Sequence, residues 1–120
     1  MTNDAEAELP VRMQLDAYNA RDIEAFMRCW ADDCECREFP DTLLARGAAE
    51  VRRRHVARFQ EPHLFGELLA RFSVGNLVVD RERVTRSFPD GPGEVEVIAI
   101  YQVEGSKILR AWFKSGPRLS

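Results

Sequence analysis

The chain contains no apolar run approaching the roughly 18 residues that a membrane-spanning helix needs, so a transmembrane class is not expected. It also lacks a basic excess: 17 Lys and Arg stand against 20 Asp and Glu, for a net charge of −3. That balance fits a phosphate backbone poorly and disfavours nucleic-acid binding. No glycine-rich phosphate loop and no nucleophile-elbow motif occur. Cysteine is sparse, with Cys29, Cys34 and Cys36 in one cluster. An odd count does not make a disulfide framework, and the C-x-C spacing is too little for a structural zinc site of about four ligands. The two histidines, His55 and His63, lie well downstream of that cluster. Neither metal nor cofactor is expected, and the thiols read as small buried hydrophobes. The opening MTNDAEAELP is acidic and has no apolar signal core, so a cytoplasmic location is expected.

What is present is ordinary globular composition. Of the 120 residues, 45% are hydrophobic and 31% charged, enough for one core and one domain. Residues 1–8 read as a flexible tail running up to Pro10, 9–115 as the domain, and 116–120 as a second tail. Val11, Leu15 and Tyr18 recur at helical spacing. Asp22 is a plausible N-cap for a second helix carrying Ile23, Phe26, Met27 and Trp30, which Asp32 and Asp33 end. Cys34 to Phe39 alternates as a short strand that Pro40 stops. Gly47 opens a third helix, Ala48 to Phe59. Period-two alternation then predicts strands at Leu64–Val74, Leu77–Phe88, Glu94–Val103 and Lys107–Lys114, separated by good turn chemistry. Helices segregated from a meander imply an α+β fold, with helices over one face of a curved sheet.

The strand faces point to function. Val78, Asp80, Glu82 and Val84 share one side of their strand. If that side faces the helices, two carboxylates enter a largely apolar space and must be paired, hydrogen-bonded or protonated. The alternative is an outward charge ladder in which an arginine such as Arg81 or Arg83 pairs Glu82. Ile98, Ile100 and Trp112 mix with charged residues on one sheet face, which resembles a subunit interface. A homodimer through the sheet is the expected assembly.

The run Tyr18-Asn19-Ala20-Arg21-Asp22, then Phe26 and Trp30-Ala31-Asp32-Asp33, resembles the nuclear transport factor 2-like superfamily, in its SnoaL-like and ketosteroid-isomerase-like branch. Val74-Gly75-Asn76, Arg81-Glu82-Arg83-Val84 and Ala99-Ile100-Tyr101-Gln102-Val103 are similar too, and the resemblance covers residues 9–115. It implies a cone, in which a curved mixed sheet wraps helices around an apolar pocket. Its members serve as isomerases, cyclases, dehydratases, hydrolases or plain binding modules, so the resemblance fixes fold more than activity. Ketosteroid isomerases combine a carboxylate base with a tyrosine and a protonated aspartic acid that stabilise an enolate, a standard illustration of pKa tuning. The resemblance places that base at Glu38, the tyrosine at Gln14 and the acid at Ala99. With two of the three groups changed, steroid isomerisation by that mechanism is not expected.

The expected catalytic groups are therefore Glu38, Glu82 and Tyr101. Each has a plain alternative: a solvated Glu38 answering Arg37 or Arg46, an ion-paired Glu82, and a Tyr101 that only packs. Gln14, Tyr18, Trp30 and Phe59 are expected to line the pocket, with His63, Val84, Ala99 and Phe113. His55 reads as a satisfied buried imidazole, and the arginine run 52–54 as a solvated helix face. The expected activity is cofactor-free acid–base chemistry, such as isomerisation, cyclisation or dehydration, on a small apolar molecule. A non-catalytic ligand-binding or dimerisation module is the alternative.

Overall fold

The computed structural model describes residues 3–119. Helix α1 spans Asp4–Ala20, with Asn3 as its N-cap accepting from the Glu6 amide and Asp4 and Glu6 in the first turn, where they complement the helix dipole. The expected tail is thus helical from Asp4, and Pro10 lies inside the helix instead of marking its start. Packing accounts for the difference: the buried stripe begins at Ala7 and continues through Val11, Gln14 and Leu15. Burial there outweighs the hydrogen bond that proline forfeits. Asp4 also accepts from the Gly75 amide at 2.7 Å, and Glu8 pairs with the Ser73 hydroxyl, so the first turns are tied to the sheet.

Helix α2, Ile23–Met27, is capped by Asp22 as expected, but it is shorter than the apolar spacing predicts. Strand β1 already begins at Trp30 and runs to Glu38, because the Ile108 amide captures the Cys29 carbonyl at 2.8 Å and draws the chain into the sheet. Asp32 and Asp33 are therefore exposed strand residues, not helix terminators. Strand β2, Thr42–Arg46, has no counterpart in the sequence pattern; its adjacent Leu43 and Leu44 break alternation, and it is a short edge strand paired only with β1. Helix α3, Ala48–Arg58, follows Gly47, whose φ of 85° suits glycine.

Four long strands follow: β3 Phe65–Val74, β4 Leu77–Phe88, β5 Gly91–Glu104 and β6 Lys107–Leu119. The last extends past the expected end at Lys114 and absorbs most of the expected C-terminal tail. Glu94 and Val95 of the longer β5 pair with Leu119 and Arg118, and Arg118 binds Asp90 and stacks on Phe88. The sheet order is β2-β1-β6-β5-β4-β3, with β1 and β6 parallel and every other pair antiparallel. This is the mixed, curved α+β arrangement that the sequence resemblance implies.

The core fills the space between the concave sheet face and the helices, with Val11, Phe26 and Val51 meeting Val78, Val103 and Ile108. A register shift between Gln102 and Val103 turns Ile108 inward along with Ala111, so simple alternation along β6 assigns Ile108 to the wrong face. On β4, Val78, Asp80, Glu82 and Val84 all point inward. Asp80, 0% exposed, is held by a bidentate Arg71 at 2.6 and 2.8 Å. Neighbouring Arg81 and Arg83 face outward and pair with Glu96 and Glu67. Among the described residues no helix is long and apolar enough to cross a membrane.

Candidate active site

A cavity of about 150 Å³ opens between α1, α3 and the concave face of the sheet. Glu38, Glu82 and Tyr101 all line it, as do Gln14, Tyr18 and Trp30. Val84, Ala99 and Phe113 complete the expected set within the wall. Two expected lining residues are elsewhere. Phe59 is buried behind the wall, packing edge-on against Tyr18 at 5.4 Å and so supporting that ring. His63 is exposed in the turn after α3, because the chain reaches β3 through Leu64, which takes the buried place.

Glu82 occupies the deep part of the wall and is 7% exposed. Among the described residues it has no cation within ion-pair distance and no hydrogen-bond donor, in contrast to Asp80 two residues earlier on the same face. Burial raises its pKa to about 7; Asp80 adds to the rise and Arg71 offsets part of it. Space for this carboxylate depends on a glycine. A Cβ at Gly66 would lie 3.2 Å from Glu82 Oε1 and 3.2 Å from Leu15. Gly66 is fixed there by Asn19, which accepts from its amide at 2.7 Å and donates to its carbonyl at 2.9 Å.

Beside Glu82, the Tyr101 hydroxyl accepts a hydrogen bond from Gln14 Nε2 at 3.2 Å. Its own proton remains available to a guest in the cavity. Burial, then Glu82 and Asp80, hold the phenol well above its usual pKa, so it stays a donor at neutral pH. The Trp30 indole N–H is buried with no acceptor among the described residues. Glu38 sits at the exposed rim, so the two glutamates differ sharply in environment.

Leu15, Leu44, Val95, Val97 and Ser115 also line the cavity, as do Arg54, His55, Arg58 and Arg86. The helical signal for three of these is visible in retrospect. Val51, Arg54, His55 and Arg58 stand at i, i+3, i+4 and i+7, so Arg54 shares the inward stripe and only part of the arginine run is a solvated face. His55 is the buried, satisfied imidazole expected: Nδ1 donates to the Val51 carbonyl at 2.8 Å, and burial pushes its pKa down to about 4. All three cysteines are buried and free, and burial raises Cys34 to about 11 and Cys36 to about 12, so they behave as apolar packing groups. Among the described residues no three His, Cys, Asp or Glu side chains converge as metal ligands.

A family model described as the SnoaL-like domain matches residues 11–111. Among solved structures, a cystatin-fold protein from Novosphingobium aromaticivorans is 28% identical with a TM-score of 0.78, the match covering 91% of this chain and 97% of that one. A candidate polyketide cyclase from Sinorhizobium meliloti is 22% identical with a TM-score of 0.75, covering 88% and 93%. A protein of ketosteroid isomerase-like fold from Catenulispora acidiphila, in complex with trimethylamine, is 11% identical with a TM-score of 0.77, covering 88% and 84%. No curated protein matches the sequence.

The environment of Glu82 has a consequence for stability. Its folded pKa of about 7 lies above the ordinary carboxylate value of 4.5, so the native state binds a proton more tightly than the unfolded chain. Native stability is then highest at low pH as far as this group is concerned, and falls as pH rises from about 4.5 through about 7. His55, with its pKa pushed down to about 4, contributes the opposite slope over much of the same window, so the test is a difference. In urea unfolding, Glu82→Gln is expected to gain on the order of 3 kcal/mol relative to the unaltered protein as pH rises from about 4.5 through about 7. An identical pH slope in the variant contradicts the assignment.

Proposed function

The chain belongs to the SnoaL-like domain family, and we propose that it is a cofactor-free acid–base enzyme of isomerase, cyclase or lyase type in which Glu82 transfers the proton. The observation that carries this reading is the buried Glu82 carboxyl, lacking a cation and facing the same cavity as a Tyr101 hydroxyl backed by Gln14. A group titrating near 7 alternates readily between base and acid at neutral pH. As carboxylate, Glu82 takes a proton from a carbon next to a substrate carbonyl. The charge that develops on the carbonyl oxygen is met by the Tyr101 O–H, and the Trp30 indole N–H is a second candidate donor. As carboxylic acid, Glu82 then returns the proton to a different carbon, which is an isomerisation, or to a departing hydroxyl, which is a dehydration. Glu38, at the rim, is the second carboxylate of the reading.

The size of the cavity limits the substrate. Protein voids near 150 Å³ hold about one benzene-sized body, whereas drug-sized pockets start at roughly 300 Å³. A fused-ring steroid does not fit wholly inside, which agrees with the absence of the isomerase donors at Gln14 and Ala99. The substrate has a ring-sized or short-chain apolar body, with its remainder at the opening.

The outer sheet face supports assembly as a homodimer. Phe72, Val79, Ile100 and Trp112 stand in register across β3, β4, β5 and β6, forming one apolar row with Phe72 62% exposed. A second copy is the simplest self-complementary cover.

Two measurements test these proposals. Proton NMR in D2O with cyclohex-2-enone, 2-oxobutyrate and levulinate is expected to reveal catalysed exchange of the C–H next to the carbonyl. Glu82→Gln should slow it by about 100-fold or more, and the wild-type rate should follow a titration near 7. No catalysed exchange, or a fully active variant, leaves the non-catalytic binding module as the better reading. Light scattering at micromolar concentration should give twice the chain mass of 13.7 kDa, with Ile100→Glu monomeric. A monomeric wild type would sink the dimer.

A further inference from the structure

The opening of the cavity toward α3 and β4 is strongly basic. Arg54, Arg58 and Arg86 all line it, and Glu61 is the carboxylate set among them. Glu61 is already committed. It accepts from Arg86 at 2.6, 2.9 and 3.1 Å and from the Ser87 amide at 3.0 Å. Arg58 reaches it only at 3.9 Å, too long for a hydrogen bond, and the Arg58 side chain is just 24% exposed. Arg54 is half-buried with no acceptor among the described residues. The nearby Glu50 is engaged with the Arg46 amide at 2.7 Å. Among the described residues Arg58 thus has only that long ion pair, to a carboxylate that Arg86 already engages, and Arg54 has none. The opening therefore holds more buried positive charge than its carboxylates match, a costly arrangement unless a ligand supplies an anion.

We propose that Arg54 and Arg58 form a carboxylate-binding subsite at the cavity opening, so that the ligand is a small organic acid whose apolar body lies in the cavity. This rests on the reading of the cavity as a small-molecule site, and deepens it by naming the substrate class. A carboxylate is planar and matches the guanidinium fork in a bidentate pair, and its few atoms suit a space this small. The mutual repulsion of the arginines points the same way. Burial and then Arg58 lower the pKa of Arg54, with Arg86 contributing, and an anion between them relieves that repulsion. For the chemistry, anchoring the acid group at the opening fixes the orientation of the body without using Tyr101, which stays free for the reacting carbonyl. Nothing in the sequence resemblance specifies such a group. On this proposal the small, largely apolar ligand expected from the sequence carries an acidic end.

The test is equilibrium binding followed by NMR, with benzoate, its neutral isostere benzamide, and toluene as probes. Benzoate is expected to bind with low-millimolar or better affinity, to shift resonances of Trp30 and Tyr101, and to bind about tenfold or more tightly than benzamide. Added salt should weaken benzoate selectively, and Arg54→Gln and Arg58→Gln should each erase most of the preference. Equal binding of benzamide or toluene overturns the subsite while leaving the cavity reading intact. Absence of benzoate binding, or shifts confined to residues outside the cavity, overturns it as well. The probe series on the unaltered protein decides the matter even if an arginine variant folds poorly. Glu82→Gln should keep the benzoate preference, so loss of catalysis and loss of the subsite are read separately.

Discussion

Strand β4 pairs with β5 along its full length without a register break, from Leu77 opposite Gln102 to Phe88 opposite Gly91. Because side chains alternate along a strand, that unbroken register gives Asp80 and Glu82 only one place to go, into the core beneath the helices. Two carboxylates cannot both be buried there as free anions. Asp80 is neutralised by Arg71, reaching across from β3. With that guanidinium committed, Glu82 is left to respond to burial and to the Asp80 charge, which is why it titrates near 7 and not near 4.5. Burial thus does most to raise the Glu82 pKa, with the Asp80 charge of the neighbouring ion pair adding to it and Arg71 taking part of it back.

The rest of the site is arranged to keep that carboxyl in place. Gly66 has no side chain to displace it, and Asn19 fixes Gly66 from the end of α1. Arg21 adds a second tie by donating to the Pro62 and Leu64 carbonyls at 3.0 and 3.1 Å. Gln14 stands where the resemblance to ketosteroid isomerases expects a tyrosine, and from the cavity wall its amide donates to the Tyr101 hydroxyl. In the proposed mechanism Tyr101, two positions beyond Ala99 on the same face of β5, is the donor in its stead. The fold is shared with the cystatin-fold and ketosteroid isomerase-like structures.

Elements with an uninterrupted pattern could be read from the sequence. Alternation placed β4 with its observed limits, Asp22 marked the start of α2, and the same alternation grouped Val78, Asp80, Glu82 and Val84 on one face, leaving open which way that face points. What could not be read depends on contacts between distant segments. Ala7 and Val11 carry α1 through Pro10 only because the sheet covers them, and β2 forms at Leu43–Leu44 because β1 offers an edge. The bulge near Val103 moves Ile108 across the sheet without any local signature. Arg54 and Arg58 share a stripe with His55, yet a run of arginines reads as solvated until the packing of α3 shows which of them turn inward. Phe59 and His63 illustrate the opposite error, since proximity to the site in sequence did not bring either to the cavity.

Carbon-13 NMR titration of the Glu82 side-chain carboxyl in the intact protein tests this account most directly. The account predicts a midpoint near 7, moving down toward the ordinary carboxylate range when the Asp80 charge is removed by Asp80→Asn with Arg71 retained. A midpoint near 4.5 in the unaltered protein would mean that Glu82 is an ordinary ionised carboxylate, and would contradict its role as the proton-transferring group.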